Sequence, residues 1–234
     1  AEVNFIAQDL CTNKIVTSIG PSLDEGISPC STFKIALSVI GYELLILKSE
    51  EEPVWPYDGS DVEFNFHKTP HSPKTWISCS VTWFSKRLAR TIGEKNLQKY
   101  LSLFSYGNQD ITGNAGKDDS FITAHLSSSL KISPREQMLF LTKLLLHQLP
   151  TSCHATETTT KLLPCCSLDG SWHLFGKSGA GFDKEKKFAW YVGWIEKKQH
   201  VVVFALLLKD LDTFPTVEDR QRIVAEFFRK ERYM

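Results

Sequence analysis

Ser31-Thr32-Phe33-Lys34 sets a hydroxyl and an amine three residues apart, which on a helix puts them on one face. A serine hydroxyl attacks a carbonyl well only when a neighbouring base takes its proton, and Lys34 is placed to be that base. Phe33, Ile35, Ala36 and Leu37 surround the lysine with apolar side chains, so desolvation lowers its proton affinity and frees a neutral amine. Ser31 would open the helix, where unpaired backbone N–H groups and the macrodipole favour a developing oxyanion. Taken alone, S-x-x-K is usually a cap beside a solvated lysine. A helix this apolar argues against solvation.

Three further groups are bland singly. Lys177-Ser178-Gly179 lies on or beside an expected strand, where a cation, a hydroxyl and a glycine can hold a carboxylate and admit a substrate backbone. Ser80 stands just before a helix expected from Thr82 and equally reads as its N-cap. Tyr106-Gly107-Asn108 equally reads as a turn. His67 and His71 have the spacing of helical zinc ligands, but Pro70 and Pro73 oppose a helix there, and no metal is expected.

The elements that must position these residues follow from periodicity and punctuation. Strands are expected over 4–9 and 14–18 around a Thr12-Asn13 turn, and over 172–175, 188–196 and 201–208 near the other end. Helices are expected from Thr32 to about Lys48, over 82–92 and 94–104 about Gly93, from the Ser133-Pro134-Arg135-Glu136 capping box to about Leu149, and from Thr216 through Arg229. Residues 50–73 read as an ordered loop, and 106–119 as the longest loop signal. Strands at both ends with helices between predict an α+β fold. One antiparallel sheet is built from the N- and C-terminal strands, is flanked by helices, and carries a mostly helical middle lobe over roughly 50–165. All 234 residues are expected to form a single domain.

Composition narrows the partners. Lys+Arg and Asp+Glu balance at 27 each, so nothing favours nucleic acid or an anionic membrane. No apolar run reaches the roughly 18 to 20 residues of a membrane span. Six cysteines form no C-x-x-C pair, vicinal Cys165-Cys166 is a poor mutual bridge, and buried free thiols are expected.

With S-T-F-K, S-V-T, Y-G-N and K-S-G in that order, the chain resembles the class D (oxacillinase) serine β-lactamases. Context agrees at Pro29-Cys30, Trp55-Pro56-Tyr57-Asp58-Gly59, Leu130-Lys131-Ile132-Ser133-Pro134 and Trp190-Tyr191-Val192-Gly193-Trp194, so the resemblance covers about residues 4 to 230. It implies the β-lactamase/penicillin-binding-protein-like fold and hydrolysis of a small-molecule β-lactam through a Ser31 acyl-enzyme. Lys34, carbamylated by carbon dioxide or bicarbonate, would be general base, with no other cofactor. Ser80 would relay protons toward the leaving nitrogen, and Lys177 would stand among the catalytic residues. Lys177, Ser178, Gly179, Tyr106 and Arg220 would meet the substrate, and the N–H groups of Ser31 and Ala180 would hold the oxyanion. The family also implies export to the periplasm, so that the numbering here would begin after a cleaved signal peptide, and a monomer or homodimer.

Two positions depart from the family. Thr82 stands where a valine usually shields the carbamate, and His125 aligns with a tryptophan that hydrogen-bonds it. Both would slow deacylation if they matter, and both are neutral drift if they merely pack. A β-lactam-sensing domain that acylates but deacylates slowly is the alternative function, and a polar residue at Thr82 mildly favours it. A transpeptidase-like penicillin-binding protein is weaker, because such proteins usually have S-x-N.

Overall fold

The computed structural model describes residues 1–62, 64–114 and 120–233, so the last part of the loop expected over 106–119 lies outside the described residues. Strands β1 (Glu2–Asp9) and β2 (Lys14–Ile19) form a hairpin whose turn is closed by Asn13 at a left-handed φ of 56°. A 3-10 turn over Cys30–Phe33 runs straight into helix α1 (Lys34–Glu43). The middle of the chain is helical: α2 (Pro73–Cys79), α3 (Thr82–Ile92), α4 (Glu94–Phe104), a one-turn α5 (Ser120–Thr123), α6 (Pro134–Leu145) and α7 (Cys153–Leu162). Strands β3 (Cys165–Ser167), β4 (His173–Asp183), β5 (Lys186–Lys197) and β6 (His200–Leu211) follow, and α8 (Val217–Lys230) closes the chain.

The strands make one antiparallel sheet in the order β2-β1-β6-β5-β4-β3. Its ends in sequence are neighbours in space, because β1 pairs with β6 from Glu2↔Lys209 to Asp9↔Val202. Alternate residues of the central strands face opposite layers. Ile6, Trp190, Val192, Val203, Ala205 and Leu207 belong to the core shared with the helical lobe, whereas Phe5, Tyr191, Phe204, Leu206 and Leu208 pack with Val224 and Phe228 of α8. Burial on both faces explains why 201–208 reads as a continuous apolar run and not as an alternation. Among the described residues no helix is long and apolar enough to cross a membrane.

The α+β sheet with flanking helices is as expected, with local corrections. Helix α1 ends at Glu43, not near Lys48: Leu45 turns left-handed at φ 57°, and the N–H groups of Ile46 and Leu47 both return to the Gly41 carbonyl. Helix α2 lies inside the expected 50–73 loop at its start and continues beyond it, opened by a capping box between Ser72 and Thr75 with Pro73 in the first turn. Helix α7 has no counterpart among the expected elements, because Thr158, Thr159 and Thr160 have low helix propensity. The cysteines are free, but only Cys30 is buried; Cys11, Cys153 and Cys165 are exposed and Cys79 and Cys166 half-buried.

Candidate active site

The nucleophile's turn is pinned before the helix begins. The Trp190 indole donates to the Ser28 carbonyl at 2.9 Å, while the Ser28 hydroxyl and the Cys30 N–H both donate to the His125 carbonyl, at 2.8 and 2.9 Å. The Thr32 N–H then makes the first bond of the turn, to Pro29, so the preceding N–H of Ser31 has no partner within it. Ser31 is half-buried, and the next nine residues of α1 beyond the turn, Lys34 through Tyr42, are all buried.

Lys34 Nζ lies 3.2 Å from Ser31 Oγ, donating to it. Burial disfavours the charged ammonium, and no carboxylate among the described residues offsets it, so the amine's pKa falls to about 7. Near neutrality a large fraction is the free base. A second amine–hydroxyl pair faces it: Lys177 Nζ donates to Ser80 Oγ at 3.0 Å and to the Ser178 carbonyl at 3.1 Å. Burial first, then the nearby charges of Lys34 and Arg220, push Lys177 well below the ordinary lysine range. Ser80 is not the N-cap of α3, which is Val81; it is the left-handed C-cap of α2 at φ 57°, and that turn directs its hydroxyl at Lys177.

A cleft of about 430 Å³ opens onto the two hydroxyls, with the two amines buried behind them. Ser31, Ser80, Thr82, Ser178, Gly179, Ala180 and Arg220 line it. Among the described residues β3 pairs with β4 only at His173–Phe175, which leaves the later part of β4 as an edge along the cleft. Gly179 lets that edge lie close to the nucleophile's turn: a Cβ there would sit 2.9 Å from the Pro29 carbonyl oxygen and 3.1 Å from Thr32 Cγ2. From the sheet's other side, Arg220 donates to the carbonyls of Gly179 and Trp190, both at 3.1 Å, and of Pro215 at 2.8 Å. Its Nε is buried without a partner among the described residues.

Tyr106 is not where a substrate-binding residue must be. It is 1% exposed, wedged between Phe33 and Phe140 at ring separations of 5.4 and 5.1 Å, and it does not line the cleft. Its place is behind the nucleophile's turn. His125 is also buried, packed on Phe33 at 5.0 Å, and its Nε2 has no partner among the described residues. Burial, followed by the charges of Lys34 and Lys86, lowers the imidazole's pKa to about 3, so it is neutral at any ordinary pH. Thr82 opens α3 at the cleft wall. His67 lines the cleft, with its Nε2 at 2.9 Å from the Cys79 carbonyl, whereas His71 lies outside it and bonds Thr75 at 3.1 Å.

Sequence reasoning passed over the cleft's outer wall, where Asp61, Val62, Phe64, Cys79 and Leu126 stand. Most of them sit in loops with no motif, and only an exposed aromatic such as Phe64 in a polar stretch could have signalled a lining.

The model of the penicillin binding protein transpeptidase domain matches residues 13–230 of the chain. β-Lactamase OXA-9 of Klebsiella pneumoniae is 35% identical over 196 residues, covering 77% of this chain and 70% of that protein. β-Lactamase OXA-1 of Escherichia coli is 35% identical over 208 residues, covering 87% and 75%. Among solved structures, the class D β-lactamase OXA-427 superposes with a TM-score of 0.87 at 32% identity, covering 99% of this chain and 100% of that one. FUS-1 (OXA-85), a class D β-lactamase from Fusobacterium nucleatum subsp. polymorphum, gives 0.87 at 28% identity, covering 98% and 92%.

Proposed function

Because the chain belongs to the class D β-lactamases, within the penicillin-binding-protein transpeptidase domain family, we propose that it hydrolyses β-lactam antibiotics through an acyl-enzyme on Ser31. One observation carries the assignment of roles: a wholly buried amine of pKa about 7 stands 3.2 Å from the nucleophile's oxygen.

Lys34 takes the Ser31 proton as Oγ attacks the lactam carbonyl. The N–H groups of Ser31 and Ala180 receive the oxyanion, each such donor contributing on the order of 3 kcal/mol. Ser80 passes its proton to the leaving nitrogen and is reprotonated by Lys177, the amine that shares its hydrogen bond. Ser178 and Arg220 bind the substrate carboxylate, as charged and hydroxyl donors on the cleft wall. Once the proton on Lys34 has passed to the deprotonated Lys177, the free Lys34 amine activates the water that releases the product.

Lys34 also fits carbon dioxide. Only a neutral amine adds it, and His125 Nε2, without a partner among the described residues, is buried close enough that the Lys34 charge lowers its basicity. Once added, it supplies a carbamate base for both acylation and deacylation. His125 is then the natural donor toward Lys34, and neutral imidazole keeps one N–H for that purpose. We place the protein in the periplasm, where β-lactams meet their targets.

The test is turnover of a chromogenic β-lactam. Product continuing well past one equivalent is expected, whereas a burst that halts at one equivalent would replace hydrolysis with the sensing function. The pH profile checks the base. As pH falls through about 7 the Lys34 amine takes up a proton, so kcat/KM should drop about tenfold per unit below that point. Added bicarbonate should raise turnover. An acid limb centred near pH 4 would assign the base to a carboxylate instead.

A further inference from the structure

At the end of β1 three different donor groups converge. Asp9, Cys11 and His200 each offer one ligand atom, and these atoms lie within 4.8 Å of one another. Among the described residues no other group of three such side chains comes together. The position is remote from the cleft. Gly179 shares a row with Trp190, Leu207 and Asn4, and Asp9 lies five residues further along β1. That is roughly 16 Å along the strands and three strands across.

We propose that Asp9, Cys11 and His200 bind a divalent transition-metal ion, with Zn²⁺ as the natural occupant. A thiolate and an imidazole select a borderline-soft ion over Mg²⁺ or Ca²⁺, which prefer all-oxygen cages. Zn²⁺ holds its ligands at about 2.0 to 2.3 Å, so tetrahedral neighbours are roughly 3.3 to 3.8 Å apart. Side-chain rotation of about 1 Å closes the observed spread to that figure.

The carboxylate is already oriented. Asp9 Oδ1 accepts from the N–H groups of Cys11 at 2.8 Å and Thr12 at 3.2 Å, which bends the turn so that Cys11 returns beside it. Asp9 Oδ2 accepts from the Tyr233 hydroxyl at 3.0 Å and contacts His200 Nε2 at 2.8 Å. Trp172 and Tyr233 flank the imidazole at 5.4 and 5.5 Å and limit its rotation. Partners of this kind, fixing ligands from behind, are what a metal site needs. Cys11 is exposed, so an ion enters from its side and keeps a fourth position for water. On binding, the Cys11 thiol gives its proton to solvent as the sulfur–metal bond forms, and the ion takes the place of the proton between His200 Nε2 and Asp9 Oδ2, the imidazole keeping its hydrogen on Nδ1. The Asp9–His200 pair is thereby bridged by the ion.

An ion pair that merely ties β1 to β6 has no use for the thiol, and that difference sets the experiment. Titration of the whole protein with Co²⁺ should saturate at one equivalent and develop a thiolate-to-cobalt charge-transfer band in the near ultraviolet. Zn²⁺ should displace it and raise the melting temperature. Cys11→Ser should abolish the band, and His200→Ala should weaken Co²⁺ binding by at least about tenfold. β-Lactam turnover should be the same in Cys11→Ser as in the unsubstituted protein, so the outcome is independent of the catalytic reading. Co²⁺ bound without the band, or with an affinity that neither substitution changes, would overturn the proposal.

Discussion

Lys34→Ala should leave a protein that folds, reacts once with a β-lactam and then holds the product as a long-lived acyl-enzyme. A general base contributes about 10² to 10⁴ in rate, so turnover should fall by about that much, with mass spectrometry showing the acylated species persisting for hours. Folding should survive because the lysine is a burden to the native state. Its pKa is 10.5 in an open chain and about 7 when buried. That gap costs on the order of 5 kcal/mol wherever the unfolded chain is protonated and the native amine must either protonate or stay bare. The sign follows from linkage: the unfolded state binds the extra proton between these two values, so stability contributed by this group rises with pH across that window. The cost is complete below pH 7 and gone above about 10.5. Removing the side chain relieves that cost and leaves a cavity worth about 2 to 5 kcal/mol, so the two nearly offset. Rapid product release from Lys34→Ala, in a variant whose thermal melt is unchanged, would remove the lysine from the mechanism.

What the residues disclose of this fold is uneven, for physical reasons. Helices α3 and α4 are legible to the residue, because each carries one apolar stripe and Gly93, at φ 79°, can only be the break between them. The capping boxes at Ser133 and Thr216 are equally plain, both closed by reciprocal bonds. The same device at Ser72 escapes notice because Thr75 replaces the usual acid, and because neighbouring prolines suggest a loop. Helix α1 misleads in the other direction: buried all round, it offers no stripe whose end marks its end.

The site divides along a similar line. Ser31 and Lys34 are readable since both lie on one helical turn, and local spacing determines their contact. Ser80 and Lys177 are 97 residues apart, so only tertiary packing brings them within 3.0 Å, and no spacing rule foretells a serine in the left-handed region. Tyr106 shows the converse hazard. A motif locates the chain segment but not which way the ring turns, and here the ring faces Phe140.

Gly179→Val tests the geometry on which the proposed oxyanion donors depend. Gly179 has no left-handed φ, so a valine there adds no backbone strain and acts through contact alone. Its Cβ alone would approach the Pro29 oxygen to 2.9 Å and the Thr32 nitrogen to 3.3 Å, and two methyl groups aggravate both. Neither side yields easily. The β4 edge is held by its ladder to β5 and by Arg220 on the Gly179 carbonyl, and the Pro29–Thr32 turn is held by His125 and Trp190. Room for the side chain therefore comes from spreading strand and turn, which carries the Ser31 and Ala180 N–H groups apart. Loss of one oxyanion donor lowers kcat by about 10² to 10³, and overpacking costs about 1 to 3 kcal/mol. Stopped-flow acylation should slow by that factor while the variant still melts cooperatively, and Gly179→Ala should fall between it and the parent. Acylation within about threefold of the parent would mean that the close approach of β4 to the nucleophile's turn does not position the reacting carbonyl.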